Sequence, residues 1–368
     1  MILSVQIKLI PDKEQSNALL RTLKATNLAA NRMSELCWQK KEFRRFPLQK
    51  LFYHQIRKEF PLSAQTVCLL TAKVADAYKL DQKCQRTFRA NGSIAYDSHV
   101  LALYLETSRV SIWTIIGREK MPFVCGEKQR KILSYKWRQS DLILRKDKWF
   151  LNVTVDIPES KENAAIDVLG VDFGIVEIAC DSDGNMYSGS KLNKIRNRNR
   201  SLRRKLQKKG TKSAKRLLKK RSLKESRFAA NVNHCISKRI VQNAERTNRA
   251  IAIEDLGGIR SRIRARKRQR TRLHSWGFAQ LGDFITYKAK QCGVGVIKVS
   301  PKNTSRRCNQ CGHTEKANRK SRDCFVCKAC GHTSHADENG ASNIRSKGLK
   351  LLGTGALNHP NAETGVSQ

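Results

Sequence analysis

Hydrophobic and polar residues change their spacing twice in the first 160 residues. Residues 2–10 alternate between apolar and polar side chains, as a strand does, and Pro11 ends the pattern. Apolar residues then recur at helical intervals as far as about residue 92. From residue 93 to about 160, short alternating runs return with turn residues between them. The pattern predicts a small β-barrel or sheet that the first strand rejoins and that carries a helical insert.

The second half of the chain mixes strand-like and helix-like segments. "IDVLGVDFG" reads as a strand, and "IVEIACDSDGNMYSG" follows as a hairpin with an Asp-Gly turn. A long polar helical stretch interrupted by Gly210 comes next, and the short strand "AIAIEDL" follows it. The helix "WGFAQLGDFITYKAKQCG" and the strand "VGVIKVS" then lead to a cysteine-rich region. The order predicts a multidomain chain, β-rich first and α/β afterwards.

Two of these strands end in a carboxylate. In "DVLGVDFG", period-2 alternation places Val171 on one face and both Gly170 and Asp172 on the other, so Asp172 emerges where glycine leaves space. In "AIAIEDL", the same alternation turns Glu254 away from the face of Ile253. Each strand therefore offers one acid on the less crowded side of a sheet.

A third acid, Asp337, starts "ADENGASNI", which reads as a helix whose small residues permit close packing. Carboxylates from two strands and a helix can converge on a pair of divalent metal ions about 3.5–4 Å apart, which activate water and stabilise the leaving oxygen in phosphodiester hydrolysis. Hard oxygen ligands suit Mg²⁺ or Mn²⁺. Periodicity leaves neighbouring acids as alternatives: Glu177, Asp181 and Asp183 for Asp172, Asp255 for Glu254, and Glu338 for Asp337.

Four cysteines have the spacing of a zinc ribbon. Two Cys-x2-Cys pairs are separated by fifteen residues, and each is followed by a glycine that relieves a tight turn. The ligands predicted for one structural Zn²⁺ are Cys308, Cys311, Cys327 and Cys330. Three nearby side chains are alternatives for one of these ligands: Cys324, His313 and His332. Such sites contribute about 10–16 kcal/mol of apparent binding free energy in peptides, so the segment is expected to fold as its own module.

The charge of the chain indicates a polyanionic partner. Its 368 residues include 73 Lys and Arg against 31 Asp and Glu, a formal net charge of +42, which favours nucleic acid. Residues 195–222 and 259–272 are dense in cations that phosphate contact would explain. The individual candidates are Arg196, Arg198, Arg200, Arg203, Arg204, Lys205, Arg260, Arg262, Arg264 and Arg266. Without a long apolar run or a signal-peptide pattern, we expect a cytoplasmic, nucleoid-associated protein and no membrane partner.

The motifs follow one another as "GVDFG", "IAIEDL", "TSRRCNQCG", "CKACG" and "HADENGASNI". In this order they resemble the TnpB family of transposon-encoded RNA-guided nucleases, and they are similar to the compact type V CRISPR effectors that descend from that family. The resemblance covers residues 166–346 specifically and the N-terminal half by architecture. It implies that Asp172, Glu254 and Asp337 are the catalytic acids.

The resemblance also implies a multidomain α/β + β fold. A RuvC-like RNase H fold nuclease domain with an inserted zinc ribbon would follow a β-barrel wedge domain that carries a helical recognition insert. The implied boundaries are 1–12 and 93–160 for the wedge domain, 13–92 for the recognition domain, 166–304 and 333–348 for the nuclease domain, 305–332 for the zinc-ribbon target-nucleic-acid-binding element, and 349–368 for a flexible tail.

The activity implied is RNA-guided cleavage of double-stranded DNA next to a short adjacent motif. Two catalytic Mg²⁺ ions, or Mn²⁺, and one structural Zn²⁺ would be the cofactors. The partners would be a guide RNA derived from the transposon end and target DNA, with one protein per RNA in a prokaryotic cell. Three other functions stay open: a compact type V CRISPR effector, an RNase H-like transposase acting without a guide RNA, and a non-catalytic repressor that alanine at Asp172 would not affect.

Overall fold

The computed structural model describes residues 1–257 and 277–353. The chain divides into two compact units, Met1–Pro158 and Glu159–Gln368. No helix within the described residues combines the length and the apolar character that a bilayer crossing requires. The basic segment 259–272, with Arg260, Arg262, Arg264 and Arg266, lies outside the described residues, as does the tail from residue 354.

The first unit, described in full, is built on one seven-stranded antiparallel sheet. Its strands are β1 (Ile2–Leu9), β2 (Ile94–Tyr96), β3 (Leu101–Tyr104), β4 (Arg109–Thr114), β5 (Gly117–Val124), β6 (Trp137–Arg145) and β7 (Lys148–Asp156). Its helices are α1 (Lys13–Lys40), α2 (Arg45–Glu59), α3 (Ala64–Leu80) and α4 (Glu127–Leu133). The strand order is β2-β6-β7-β1-β5-β4-β3. The first strand therefore rejoins the sheet, as predicted, and it lies at the centre of the strand order. α4 is a helix that the pattern did not predict.

The helical insert begins at a well-defined cap. Asp12 accepts a hydrogen bond from the backbone of Gln15 at 2.8 Å, and the Gln15 side chain accepts one from the backbone of Asp12 at 3.3 Å. This capping box satisfies backbone donors that the first turn of a helix leaves unpaired. α1 then packs against the sheet through Leu19 and Leu23, and further along it packs with α2 and α3 through Met33.

The second unit contains a five-stranded mixed sheet of order β10-β9-β8-β11-β12. Its strands are β8 (Asp167–Asp172), β9 (Glu177–Asp181), β10 (Met186–Ser188), β11 (Arg249–Glu254) and β12 (Val296–Val299). Its described helices are α5 (Ser190–Lys209), α6 (Lys212–Arg221), α7 (Lys224–Arg246), α8 (Phe278–Cys292) and α9 (Ala336–Leu352). β8, β11 and β12 are parallel, whereas β9 pairs with both β8 and β10 antiparallel.

Helices cover both faces of this sheet. Val171 and Ile253 pack toward α7 and α8, while Val168 and Ala252 form a second core with α9. A small antiparallel hairpin, β13 (Cys324–Val326) and β14 (Thr333–His335), precedes α9. The sheet thus has one conventional apolar face and one face occupied by a single close helix.

β14 and α9 extend beyond two of the domain boundaries that the resemblance implied, at residues 332 and 348. β14 lies beyond residue 332 because its pairing with β13 extends the cysteine-containing module to His335. α9 continues to Leu352, past the implied end of the nuclease domain at 348, because Leu349, Leu351 and Leu352 pack on the core formed with Val168. Residues 349–352 are therefore helical and packed, and the prediction of a flexible tail starting at 349 is corrected there.

Candidate functional site

Asp172 is the last residue of β8, and α9 lies directly over it. A Cβ atom added at Gly170, on the same face, would overlap the carbonyl oxygen of Ala341 and lie 2.9 Å from the Cα atom of Arg345. A Cβ atom at Gly340 would come 2.9 Å from Oδ2 of Asp172. Only glycine leaves this room. The strand carboxylate and the helix backbone therefore meet without a layer of side chains between them.

Glu254 ends β11, the parallel neighbour of β8. Ile253 is paired with Val171, so the next residues, Glu254 and Asp172, occupy equivalent positions on adjacent strands. The hydroxyl of Thr304 donates a 2.6 Å hydrogen bond to Oε1 of Glu254. Burial raises the pKa of Glu254, and the hydrogen bond from Thr304 opposes that rise. Alternation predicted this side of the strand for the acid, and the structure has it there.

Asp337 lies in the first turn of α9, after the N-cap residue His335, whose Nδ1 accepts from the backbone of Asp337 at 3.3 Å. A Cβ atom at Gly174, just beyond β8, would lie 3.7 Å from Oδ2 of Asp337. The Arg319 guanidinium donates to Oδ1 at 3.4 Å. The helix terminus and Arg319 both place positive charge beside this carboxylate. The third acid thus lies over the end of the strand that carries the first.

The three carboxylates interact electrostatically. Burial, followed by the negative charges of Glu254 and Asp337, raises the pKa of Asp172 to about 7, and the charge of Arg319 opposes the rise. Their oxygens are not gathered as tightly as the ligands of a single ion. Within the residues that the structure describes, only the four cysteines form a group of three or more ligating side chains with all ligand atoms within 4.8 Å. Carboxylate oxygens are hard donors of the kind that Mg²⁺ and Mn²⁺ prefer, so these three residues fit such ions.

Two neighbouring acids serve the hairpin of β9 and β10 instead. Asp181 is fully buried, and its carboxylate accepts hydrogen bonds from Asn185 and Tyr187. Asp183 pairs with Arg249 at 2.5 Å. Both acids are therefore explained by the turn and by the strand edge that they stabilise.

The remaining alternatives lie at the margin of the site. Asp255 is exposed and accepts from the backbone of Gly257 at 3.0 Å. Glu338 points toward the hairpin, where its Oε1 would lie 3.8 Å from a Cβ atom at Gly184. Glu177 starts β9 beside Gly174, and its Oε2 is buried with no hydrogen-bond donor among the described residues.

The four predicted cysteine ligands come together. The Cys308 and Cys330 sulfurs are 3.8 Å apart, those of Cys311 and Cys327 are 3.6 Å apart, and all four lie within 4.8 Å of one another. A tetrahedral zinc site with Zn–S bonds of about 2.3 Å requires sulfurs about 3.8 Å apart. The four sulfurs therefore fit a tetrahedral Zn²⁺.

Each cysteine pair is held by the same backbone turn. The amide of Cys308 donates to the carbonyl of His313, and the amide of Gly312 donates back to that of Cys308. In the second pair, the amide of Cys327 donates to the carbonyl of His332, and the amide of Gly331 donates to the carbonyl of Cys327. Gly312 and Gly331 take positive φ values of 79° and 73°. The side chains Cys324, His313 and His332 are not members of the cluster that the described residues form.

Polar residues that the sequence did not single out connect the two clusters. Asn339 and Asn343, one turn apart on α9, are buried and donate to the carbonyl of Arg307 at 2.9 and 2.7 Å. Asn343 also donates to the carbonyl of Thr304 at 2.9 Å. The spacing of the two asparagines in "DENGASN" was the available signal, and Thr304 begins the quoted motif "TSRRCNQCG", whereas Arg319 lies in a segment without a motif.

The predicted phosphate contacts on α5 differ in exposure. Arg196 is buried, and burial lowers the pKa of its guanidinium. Arg200 is half-buried, and Arg203 lies 3.5 Å from Glu225. The side chains that are exposed are Arg198, Arg203, Arg204 and Lys205. The outer face of α5 therefore carries most of the accessible charge among these residues.

Comparison with known proteins identifies similar chains. The family model described as "Cas12f1-like, TNB domain" matches residues 278–344, which include the four cysteines and Asp337. The CRISPR-associated endodeoxyribonuclease Cas12f1 of Sulfoacidibacillus thermotolerans is 31% identical over 218 residues, 54% of this chain and 50% of that protein.

Two further relatives have other names. TnpB-like protein MJ0751 of Methanocaldococcus jannaschii is 36% identical over 141 residues, 36% of this chain and 51% of that protein. A protein of Escherichia coli named RNA-guided DNA endonuclease InsQ is 28% identical over 226 residues, 57% of this chain and 56% of that protein. The chain spans about half the length of the curated relatives that it matches.

The fold is that of compact Cas12 effectors. A cryo-EM structure of the Cas12f1-sgRNA-target DNA complex matches with a TM-score of 0.66 at 17% identity, covering 91% of this chain and 83% of that one. The resemblance read from the motifs is thereby confirmed: the relatives of this chain are proteins named TnpB-like, RNA-guided DNA endonuclease and Cas12f1.

Proposed function

We propose that this protein is an RNA-guided DNA endonuclease that cleaves target DNA next to a short adjacent motif with a two-metal, RuvC-like site. The observation that carries the proposal is the convergence of three carboxylates at one end of the mixed sheet: Asp172 and Glu254 end adjacent parallel strands, and Asp337 lies in the first turn of the helix that covers them. The names of the relatives, which include endodeoxyribonucleases and an RNA-guided DNA endonuclease, support the same conclusion.

The three acids would hold two Mg²⁺ ions, and Mn²⁺ would fit the same ligands. When bound, such ions supply activation of water and stabilisation of the leaving oxygen in phosphodiester hydrolysis. Asp172 and Glu254 hold their carboxylates on adjacent strands, and Asp337 presents its carboxylate from the first turn of α9. Thr304 orients Glu254 through its hydroxyl, and Arg319 supplies a positive charge beside Asp337.

Cys308, Cys311, Cys327 and Cys330 would hold one Zn²⁺ with a structural role. Four thiolates complete a tetrahedral site, so no position is left for a substrate. The module would serve as the target-nucleic-acid-binding element, since its chain leads directly into α9 and Asp337. In the first unit, the seven-stranded sheet would act as the wedge domain and the helices α1 to α3 as the recognition domain.

The expected partners are a guide RNA derived from the transposon end and double-stranded target DNA, with one protein per RNA. Base pairing would supply sequence specificity, and the protein would contact backbones and a short motif. The formal charge of +42 is consistent with two polyanions held at once.

The test is to express the protein with its native flanking DNA, purify it through high salt and sequence the RNA that stays bound. That RNA then guides cleavage of a plasmid library with a matching target beside randomised positions. We expect one RNA species and Mg²⁺-dependent cleavage next to a fixed short motif, and no cleavage by the Asp172→Ala variant.

Repeat-derived RNA would assign the protein to a CRISPR locus rather than to a transposon. Strand transfer of DNA ends without any retained RNA would replace the proposal with a transposase. DNA binding that regulates a promoter equally well with Asp172→Ala would indicate a repressor.

A further inference from the structure

α9 holds the main chain that joins β12 to the first cysteine pair, residues 300–307, which we call the connecting segment. The segment consists mainly of turns, with one isolated bridge at Arg307. Three α9 side chains, spaced four residues apart, donate hydrogen bonds to its carbonyl groups: Asn339, Asn343 and Lys347. Residues at this spacing lie on one side of a helix. The side of α9 that faces the connecting segment is therefore polar.

Asn339 binds the main chain on both sides of a predicted zinc ligand. Its side chain is fully buried, its Oδ1 accepts from the amide of Asn309 at 3.0 Å, and its Nδ2 donates to the carbonyl of Arg307 at 2.9 Å. Between these two residues lies Cys308, which is itself fully buried. Asn339 follows Asp337 by two residues in α9. The position of the zinc ligand is therefore coupled to the helix that presents the third carboxylate.

Asn343, one turn further along α9, connects the same main chain to Glu254. It is buried and donates to the carbonyls of Arg307 at 2.7 Å and Thr304 at 2.9 Å. The Thr304 hydroxyl lies 2.6 Å from Oε1 of Glu254 and 3.0 Å from the carbonyl of Pro301. A hydroxyl has one hydrogen to donate, so a small shift of Thr304 would exchange the carboxylate for the carbonyl.

Burial alone does not explain two asparagines at these positions. Asparagine is a poorer helix former than leucine, and a buried amide is unfavourable unless its hydrogen bonds are made. Leucine has nearly the same shape and would fill both positions without polar demands. Asn339 and Asn343 instead share the carbonyl of Arg307 as an acceptor. A buried polar network that is satisfied in this way fixes one arrangement of the groups it joins.

We propose that Asn339 and Asn343 are positioning residues that couple the zinc site to the carboxylate site, an inference that rests on the two-metal site of the proposed function. When the cysteines hold Zn²⁺, the first cysteine pair is fixed, and the two asparagines hold Thr304 where its hydroxyl faces Glu254. Zinc loading then raises the affinity of the carboxylates for divalent ions. By linkage, divalent ions at the carboxylates raise the affinity for zinc by the same factor.

The first test measures Mn²⁺ affinity of the full-length, zinc-loaded protein freed of nucleic acid, with electron paramagnetic resonance to detect free Mn²⁺. Asn343→Leu and Thr304→Val should each weaken Mn²⁺ binding about threefold, because each disturbs the support of one carboxylate among three. If Asn343 acts through Thr304, the double variant should also lose about threefold, whereas independent effects would multiply to about ninefold. Thr304→Ser, which keeps the hydroxyl, should bind Mn²⁺ with close to the wild-type affinity.

Two control variants define what the Mn²⁺ titration reports. Asn233→Leu removes another buried asparagine of the second unit, one that donates to Gln280, and should leave Mn²⁺ affinity unchanged. Asp172→Ala should abolish the binding, because it removes one of the proposed ligands. A purely structural role of Asn343 would lower the Tm without making its effect depend on the Thr304 hydroxyl.

The second test measures zinc affinity by competition with a chelator, in the presence and absence of Mg²⁺. In the wild type, Mg²⁺ should raise zinc affinity about threefold, as reciprocity requires. The response should disappear in Asn339→Leu, which separates the zinc ligand from α9, and in Asp172→Ala. Both tests are also made on Asn343→Leu, which leaves the contacts of Asn339 intact, so the inference does not depend on whether Asn339→Leu folds.

The results distinguish this inference from the proposed function, which RNA-guided cleavage tests separately. Unchanged Mn²⁺ affinity in Asn343→Leu, or a ninefold loss in the double variant, would overturn the inference and leave the proposed function intact. A zinc affinity that does not respond to Mg²⁺ in the wild type would do the same. Mn²⁺ binding that survives Asp172→Ala would overturn both, because the ion would lie outside the carboxylate site.

Discussion

The second unit holds two clusters of side chains that can ligate metals, and they are assembled in opposite ways. The four cysteines come from two nearly identical backbone turns, and their sulfurs lie close together at 3.6 and 3.8 Å. The three carboxylates come from two strands and a helix far apart in the chain, and burial and mutual repulsion raise the pKa of Asp172 to about 7. Zinc binding would stabilise the first cluster's fold, whereas the fold must hold the second cluster together against its own charge.

The cysteine cluster and the carboxylate cluster also differ in the contacts that support them. Each cysteine turn is closed by backbone hydrogen bonds, and the buried side chain of Asn318 joins the two turns by donating to the carbonyl of His313 and accepting from the amide of Lys328. The carboxylates are surrounded by specific partners, Thr304 on Glu254 and Arg319 on Asp337, and by glycines that admit the helix.

The largest effect is expected at the cysteine cluster. Cys330→Ser removes one ligand from an exposed position, so it should release the zinc and unfold the module, given about 10–16 kcal/mol of apparent zinc binding in comparable peptides. Metal analysis should fall from one zinc per chain to none, and amides of residues 308–335 should exchange rapidly with deuterium. Cys324→Ser, a nearby thiol outside the cluster, is the control and should keep both the zinc and the protection.

At the carboxylate cluster, Asp172→Asn should act in opposite directions on activity and stability. Cleavage should fall by at least about 10³-fold, because metal ions supply several kcal/mol of transition-state stabilisation. The Tm above pH 7 should rise by about 2–4 °C, since the variant removes a buried, repelled charge.

The pH dependence of that gain follows from the raised pKa. A carboxyl that titrates near 7 in the folded chain and near 4 in the unfolded one contributes stability that is lost as pH rises between those values. The gain of Asp172→Asn should therefore be largest above pH 7 and absent near pH 4 in thermal melts without metal. A lower Tm at every pH would contradict this account of the site.

Arg319→Ala tests whether the charge balance of the carboxylate cluster matters for activity. Because Arg319 lowers the pKa of Asp172, its removal should raise that pKa and move the acidic limb of the cleavage rate to higher pH. We expect the rate at neutral pH to fall by about tenfold. Arg319→Lys retains the positive charge, so the acidic limb of its pH–rate profile should return to the wild-type position. An unchanged pH–rate profile in Arg319→Ala would exclude the electrostatic role of Arg319.

The smallest effect is expected at Thr304. Thr304→Val keeps the shape but removes the hydroxyl that donates to Glu254, which should cost about 1 kcal/mol of stability and about threefold in cleavage rate. Thr304→Ser keeps the hydroxyl and should cleave at close to the wild-type rate. Equal losses in both variants would assign the residue a packing role alone.

Sequence patterns predicted the parts of this molecule that depend on local geometry. Alternation along β8 placed Asp172 on the side of Gly170, and the structure has both residues against α9. The spacing of the cysteine pairs predicted a cluster because two short turns are sufficient to form it. The assignment of Asp172, Glu254 and Asp337 as catalytic acids stays a prediction, to which the structure adds only their proximity and partners.

Other features could not be predicted from the sequence patterns because they depend on tertiary packing. Leu28 lies at a helical interval in α1 but is 61% exposed, because α1 packs on the sheet near Leu23 and on other helices near Met33, so its buried face shifts. Arg196 stands in a run of exposed cations and is buried one turn after Leu192. Arg319 lies between the two cysteine pairs among similar residues, and only the folded module shows that it reaches Asp337.

The glycines beneath and within α9 set how the carboxylate site can respond to disturbance. Packed helices usually adapt to a ligand or a mutation by sliding over a layer of adjustable side chains. At Gly170 no such layer exists, because an added Cβ atom would meet backbone atoms of Ala341 and Arg345. At Gly340 and Gly348 the helix backbone lies directly on side chains of the facing strands. The separation of β8 and α9 at Gly170 is thus set by direct contact between main-chain atoms. We therefore expect the separation of β8 and α9 to stay the same when residues elsewhere in the second unit are substituted.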